Sequence, residues 1–384
     1  MQHIFIIGSR GLPAKYGGFE TFVEELIKHQ KNKEICYHVA CLSDKEHHSH
    51  WTYLGADCFT IKAPSIGPAR VIAYDMLAIN YSLSIIKKEN IASPIFYILG
   101  NTIGAFISIF KKKIQQVGGK LYINPDGLEW KRSKWSKPVQ TYLKYAEKCM
   151  ANQADLVIAD NTGIENYIKQ AYPNAQTRFI AYGTDMSLTE LSANAKKVSA
   201  YFEKWGLKQG QYYLLVGRFV PENNYETIIR EFMHSKSQRD LLIICNHENS
   251  PYFEKLRAAT HFEQDKRIKF AGTVYDRDLL NYIREQAFAY IHGHEVGGTN
   301  PGLLEALAHT DLNVVLGVDF NRSVAGNSAL YWDKKQGALA QLLNSIDEQS
   351  DFSALAQNAK EIVRSHYTWG KITKEYEDLF LNES

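Results

Sequence analysis

The sequence predicts an α/β protein built from two Rossmann-like domains, each a parallel sheet flanked by helices. Three observations carry this. A chain of 384 residues suits two domains at roughly 150 residues each. Short apolar runs alternate with amphipathic stretches in both halves, the mark of βα units. A polar stretch over residues 184–210 separates the two series.

In the first series, residues 3–7 (HIFII) read as a strand, then a loop to Gly18 and a helix over about 20–30. Strands follow at 37–42 and 58–63, and residues 69–88 have helical periodicity. Residues 91–110 carry no charge over a membrane-spanning length, but Pro94, Gly100, Asn101 and Gly104 punctuate them. A strand at 95–99, a Gly-Asn turn and a short buried helix explain this segment better than a membrane span. Residues 120–125 are a strand, 135–152 a helix and 154–160 a strand. Thr162 and Glu165 form a capping-box pattern for the next helix, and 178–183 are the last strand of the series.

The polar stretch "TDMSLTELSANAKKVS" reads as a connection. Strands are then expected at 212–217, 240–245, 267–272, 289–293, 312–317 and 329–332, with helices between them. The tail over 351–381 is helical, with Thr368 as a cap. The expected domains are 1–185 and 186–365, followed by a C-terminal helix over 366–384. Its packing back on the first domain is one arrangement that the sequence leaves open. Ligands of such sheets bind at the carboxyl ends of the strands, so the two halves are expected to face a common cleft.

Composition narrows the function classes. Hydrophobic content of 45% and charged content of 22% are ordinary for a soluble globular chain, and a net charge of +2 does not suggest nucleic acid. The charge is uneven: residues 111–148 carry +7, leaving −5 for the other 346. Trp130, Lys131, Arg132 and Trp135 lie in this basic segment, a composition that suits an anionic membrane surface. A solvated helix face with two half-buried tryptophans is the plainer alternative. Five dispersed cysteines and no signal-peptide pattern suit a reduced, cytoplasmic protein, and no CxxC or HxH spacing points to a metal.

Several loops could carry chemistry. Residues 8–22 lack the GxGxxG fingerprint, but Gly17 and Gly18 directly precede a helix. They serve either a turn or close backbone approach to a ligand phosphate or sugar. Asp126 in "NPDGLEW" follows a strand and could accept a proton from an acceptor hydroxyl, or make an Asx turn. Asp160 and Tyr182 stand at successive strand ends. Arg218 lies just past the first strand of the second series, where a guanidinium suits a diphosphate; Glu222 nearby could meet a sugar. In "HEVGGTNPGLLEAL", Gly298, Thr299 and Asn300 precede a helix with Pro301 at its first position. Such a helix start attracts phosphate. Glu305 follows on that helix.

These pieces together resemble the retaining GT-B glycosyltransferases of glycosyltransferase family 4. The resemblance implies two facing Rossmann-like domains, Gly17–Gly18 and Arg218 in the family's glycine-pair and arginine positions, and Glu305 on the nucleotide ribose. Two positions depart from the pattern. Gly297 stands where the family's first E-x7-E glutamate would fall, with Glu295 displaced by two, and Asn223 replaces a lysine.

"IGSRGLPAKYGGFETFVEEL", "NPDGLEWKRSKWSKPVQTYLKYAE" and "GGTNPGLLEAL" look more narrowly like streptococcal β-1,4-rhamnosyltransferases of rhamnose-polysaccharide and capsule synthesis. This likeness implies a dTDP-β-L-rhamnose donor, a polyprenyl-diphosphate-linked GlcNAc or Glc acceptor, and peripheral attachment to the inner face of the plasma membrane. Arg218 and the Thr299–Asn300 helix start are then expected to hold the diphosphate, and Tyr275 to pack on the base. Asp126, Asp160 and Tyr182 are expected to serve the acceptor, with no metal required. Another hexosyltransferase of this fold, a nucleotide-sugar 2-epimerase, or a non-enzymatic sugar-nucleotide-binding partner remain the alternatives.

Overall fold

The computed structural model describes residues 1–14, 17–44, 49–132, 134–349 and 351–382. Lys15 and Tyr16 of the first glycine-rich loop lie outside them. The chain divides into two compact units, one of Met1–Gly183 with Trp369–Ser384, the other of Thr184–Thr368.

The first unit holds strands β1 (Gln2–Ile7), β2 (Ile35–Ser43), β3 (His50–Tyr53), β4 (Ala56–Lys62), β5 (Ile95–Leu99), β6 (Lys120–Asn124), β7 (Leu156–Ala159) and β8 (Thr177–Phe179). Helices α1 (Gly18–Lys28), α2 (Arg70–Glu89), α3 (Ile107–Gln116), α4 (Lys137–Gln153) and α5 (Thr162–Ala171) connect them. The sheet order is β3-β4-β2-β1-β5-β6-β7-β8. All pairs are parallel except the β3–β4 edge, a strand the hydrophobic pattern did not reveal. Strand order reverses across β1, which lies between β2 and β5. Ligands of open α/β sheets bind at such a switch point. The strands are apolar because helices cover both faces: every residue of β5 is buried.

Local chemistry corrects three expectations. The cap of α5 is Asn161, whose side chain accepts from the Gly163 N–H at 2.8 Å. Thr162 is already inside the helix, and Glu165 instead meets Lys169 and Thr177. The strand expected at 178–183 ends at Phe179, so Tyr182 follows it at a distance. The polar connection contains a helix, α6 (Lys196–Trp205), that buries only Val198 fully, which explains its polar reading.

The second unit adds β9 (Tyr212–Val216), α7 (Tyr225–His234), β10 (Asp240–Ile244), α8 (Pro251–Thr260), β11 (Ile268–Phe270), α9 (Arg277–Glu285), β12 (Ala289–His292), α10 (Pro301–His309), β13 (Asn313–Leu316), α11 (Asp319–Ala325), β14 (Leu330–Trp332), α12 (Ala338–Asp347) and α13 (Ser353–Ile362). Its sheet is wholly parallel in the order β11-β10-β9-β12-β13-β14, with the switch at β9 and β12. Alternate residues feed two cores. Tyr213, Leu215, Leu241 and Ile243 pack on one face, and Tyr212, Leu214, Leu242 and Ile244 on the other.

The last helix, α14 (Trp369–Asn382), belongs to the first unit. Ile372, Tyr376, Leu379 and Phe380 are each at most 1% exposed. Tyr376 and Phe380 meet Tyr97 of β5, and Glu377 accepts the N–H groups of Lys31 and Asn32 at 2.7 and 2.9 Å.

Candidate active site

In the second unit, the expected donor residues gather at the carboxyl ends of β9 and β12. The Arg218 side chain is exposed and, among the described residues, carries no ion pair. Its carbonyl accepts from the Asn223 side chain at 2.7 Å, and Asn223 also bonds His294 at 2.8 Å. Asn223 therefore ties the Arg218 loop to the loop after β12. Asn300 caps α10, its side chain accepting from the Gly302 N–H at 2.9 Å with Pro301 next. Thr299 is buried just before it.

Glu305 is paired with Arg284, a guanidinium that is almost fully buried while the Glu305 side chain keeps 42% of its exposure. Arg284 thus holds one side of the carboxylate and leaves the rest open to a ligand hydroxyl.

Glycine at 297 has a steric reason. Its φ is +146°, and a Cβ there would stand 2.9 Å from His294 Nε2. Glu295, two residues earlier, bonds Lys334 at 2.8 Å and Asn224 at 3.2 Å. Behind this loop, burial and the neighbouring His294 hold the His292 imidazole down at about 3, so it is neutral. Glu222 receives the Glu295 N–H on its carbonyl. Tyr275 is 79% exposed in the loop before α9 and packs on no ring among the described residues.

In the first unit, Asp126, Asp160 and Tyr182 come together. Burial pushes the Tyr182 phenol well above its ordinary range, and the charges of Asp160 and Asp126 push it further. Asp126 has φ +52°, followed by Gly127 at +66°, and its N–H donates to Asn124 Oδ1 at 3.0 Å. The Asx turn here is made by the side chain of Asn124, not of Asp126, which leaves the Asp126 carboxylate half-exposed. Tyr182 packs on Phe22, which also meets Tyr376 and Trp369 of α14. The last helix therefore forms part of the floor under these residues.

Gly17 has a local explanation. With φ +133°, a Cβ would lie 1.8 Å from the carboxylate of Glu20, which accepts the Arg10 N–H at 2.7 Å. A Cβ at Gly18 would meet nothing within 4 Å among the described residues, so no steric demand for glycine is seen there.

Sequence reasoning missed Asp75. It is 1% exposed on α2, and burial raises its carboxyl to about 7 while the Thr102 hydroxyl donates to it at 3.0 Å. Thr102 lies just past β5, at the same sheet end as Asp126. The signal was present: Asp75 occupies the apolar stripe of Tyr74, Ala78, Ile79 and Ser82.

The basic segment is more internally bonded than its composition suggests. The Trp130 indole donates to Glu147 at 3.1 Å and the Trp135 indole to Glu129 at 2.9 Å. Arg132 pairs with Glu129 at 2.6 Å, and Lys131 is exposed beside the Trp130 ring. The exposed apolar groups nearby are instead Phe106, Ile109 and Tyr145. Gly104 is pressed against Ala146, which brings the turn before α3 onto α4. A groove of about 590 Å³ lined by Trp130, Lys137, Lys144, Lys148 and Tyr172 runs along α4. No helix among the described residues is long and apolar enough to cross a membrane.

Over its whole length the chain matches sucrose-phosphate synthase of Thermosynechococcus elongatus, with a TM-score of 0.79 at 18% identity, covering 99% of that chain. It matches HepE of Anabaena in complex with UDP at 0.74 and 15% identity, each chain covered fully. The fold is GT-B. Residues 1–185 of this GT-B chain match a family model described as a domain of unknown function (DUF1972). An uncharacterized glycosyltransferase of Methanocaldococcus jannaschii is 24% identical over 246 residues, 62% of this chain, and the chain spans 61% of that relative's length.

Proposed function

We propose that the chain is a nucleotide-sugar glycosyltransferase, and that it moves L-rhamnose from dTDP-β-L-rhamnose, with retention, to O4 of a GlcNAc or Glc on polyprenyl diphosphate. One observation carries the transferase reading. An exposed guanidinium, a capped helix start and a half-open carboxylate stand at the same end of one parallel sheet. HepE, of the same fold, has been solved with UDP and with UDP and glucose. The choice of rhamnose rests on the motif resemblance. A glycine at 297, where a carboxylate would recognise sugar hydroxyls, suits a 6-deoxy sugar.

In this reading the second unit holds the donor. Arg218 and the α10 N-terminus take the charge that builds on the departing diphosphate, where fixed positive groups lower the barrier most. Glu305 binds the nucleotide's sugar. The first unit presents the acceptor hydroxyl beside Asp126, Asp160 and Tyr182. A raised Tyr182 stays protonated and donates a hydrogen bond. The diphosphate oxygen receives the acceptor proton in a same-face displacement, and Asp126 orients the acceptor. No metal takes part. The exposed Phe106, Ile109 and Tyr145, with Lys112, Lys113 and Lys148 around them, rest on the inner face of the plasma membrane that carries the acceptor.

The test is a panel of nucleotide sugars offered with GlcNAc- and Glc-diphospholipid, the product linkage read by NMR. A β-1,4-rhamnosyl glycolipid is expected. Consumption of donor without acceptor would establish the 2-epimerase or hydrolase alternative, and donor binding without any product would leave a binding protein.

A further inference from the structure

Unit 1 carries a second cluster of chemistry-bearing residues at the other end of its sheet, unused by the proposed reaction. Parallel register pairs His3 with Cys36, Phe5 with His38, and His38 with Asp57. Paired residues and residues two apart share a face. His3, Cys36, His38 and Asp57 therefore stand on one side of the sheet, across β1, β2 and β4. His3 Nδ1 lies 2.9 Å from His38 Nε2, and Cys36 Sγ lies 3.6 Å from the same nitrogen. The three ligand atoms are all within 4.8 Å of one another. His38 is 4% exposed, its ring stacked on Phe5 at 4.3 Å. Its Nδ1 is held by Asp57 Oδ2 at 3.0 Å.

We propose that His3 Nδ1, Cys36 Sγ and His38 Nε2 bind one zinc-class divalent cation. A carboxylate on the far nitrogen of an imidazole fixes its tautomer and aims the other nitrogen at a metal, and Asp57 does this to His38. Zinc bonds of about 2.0–2.1 Å to nitrogen and about 2.3 Å to sulfur give tetrahedral edges of about 3.4 Å between nitrogens and about 3.6 Å between nitrogen and sulfur. Of the two sulfur edges, that from Cys36 to His38 is already in place at 3.6 Å, and that from Cys36 to His3, within 4.8 Å, settles to the same length on binding. The nitrogen edge opens by a few tenths of an ångström as the ion replaces the His–His hydrogen bond. Two imidazoles and a thiolate select zinc over magnesium or calcium. Water completes the shell, and Cys36 releases its proton on binding. The ion ties β1 to β2 near their amino ends, about 16 Å along β1 from the switch point at 3.3 Å per residue. Its role is therefore structural, and it is independent of the transferase reading.

Full-length protein, stripped with chelator under reducing conditions and desalted, is titrated with Co²⁺ and then Zn²⁺. One equivalent of cobalt is expected, with a thiolate charge-transfer band and tetrahedral d–d bands that zinc abolishes. Cys36→Ser removes the charge-transfer band, and Asp57→Asn weakens affinity about 10–100-fold. A Cys41→Ser/Cys58→Ser variant keeps the whole signal. Melting curves without metal check that each variant is folded. Zinc raises the melting temperature of the native chain and not of Cys36→Ser. No uptake by the native protein, or uptake unchanged in folded Cys36→Ser, overturns the proposal; the latter result would place the ion elsewhere, as on the buried thiols Cys41 and Cys58.

Discussion

Replacing Arg218 by alanine separates catalysis from stability. Its side chain is exposed and has no ion pair among the described residues, so its loss changes folding stability by no more than about 0.5 kcal/mol. In the proposed reaction the same group faces the diphosphate as it leaves. Removing one preorganised donor to a developing charge costs about 10²–10³ in rate, or about 2.7–4 kcal/mol. Asn223 nearby is occupied by the Arg218 carbonyl and His294 and adds no charge. The loss is therefore expected near the upper end, about 10³ in kcat/KM. Arg218→Lys restores charge without the planar fork and recovers about tenfold of it. Initial rates with dTDP-rhamnose and lipid acceptor, beside thermal melts of all three proteins, measure both quantities. Turnover of Arg218→Ala within about threefold of native would refute the assignment, since a principal charge stabiliser cannot be worth under 1 kcal/mol.

Asp126→Asn is expected to turn over within about tenfold of native, because asparagine tolerates the positive φ and still bonds the acceptor; a fall of about 10³ in a burst-free rate assay would make Asp126 the base. EDTA leaves turnover intact below the melting transition, and loss that added Mg²⁺ restores would contradict a metal-free reaction. Asp75 has a folded pKa of about 7, raised by burial above an unfolded value of about 3.9. The folded state therefore binds the extra proton between these values, and stability declines as pH rises through that window. Urea midpoints at pH 5 and pH 8 should show this decline in the native chain and its loss in Asp75→Asn; parallel curves would exclude the linkage. Ending the chain after Thr368 strips Ile372, Tyr376, Leu379 and Phe380 from the first unit's core. At about 1.5–3 kcal/mol each this approaches a domain's whole stability of about 5–15 kcal/mol, so the truncated protein should bind a hydrophobic dye and lose its near-ultraviolet circular dichroism. A truncated form that keeps its near-ultraviolet signal would show that α14 is dispensable.

What the sequence determined by itself was periodic or local. Apolar runs such as IFYIL announced the strands, since a strand covered on both faces must be apolar throughout. Asn300–Pro301 announced the start of α10, because a cap and a fixed φ act within one turn. The four-residue edge strand β3, which buries no residue fully, and the mostly exposed α6 went unread, for each buries too little apolar surface to stand out from a loop. Tertiary structure decided everything that joins residues far apart in the chain. It returned α14 to the first unit, set Arg284 behind Glu305, and put Asp75 under Thr102. It also drew His3, Cys36, His38 and Asp57 to one sheet face. Those pairings follow from strand order and register, which the packing of the whole sheet selects and no local stretch of sequence encodes.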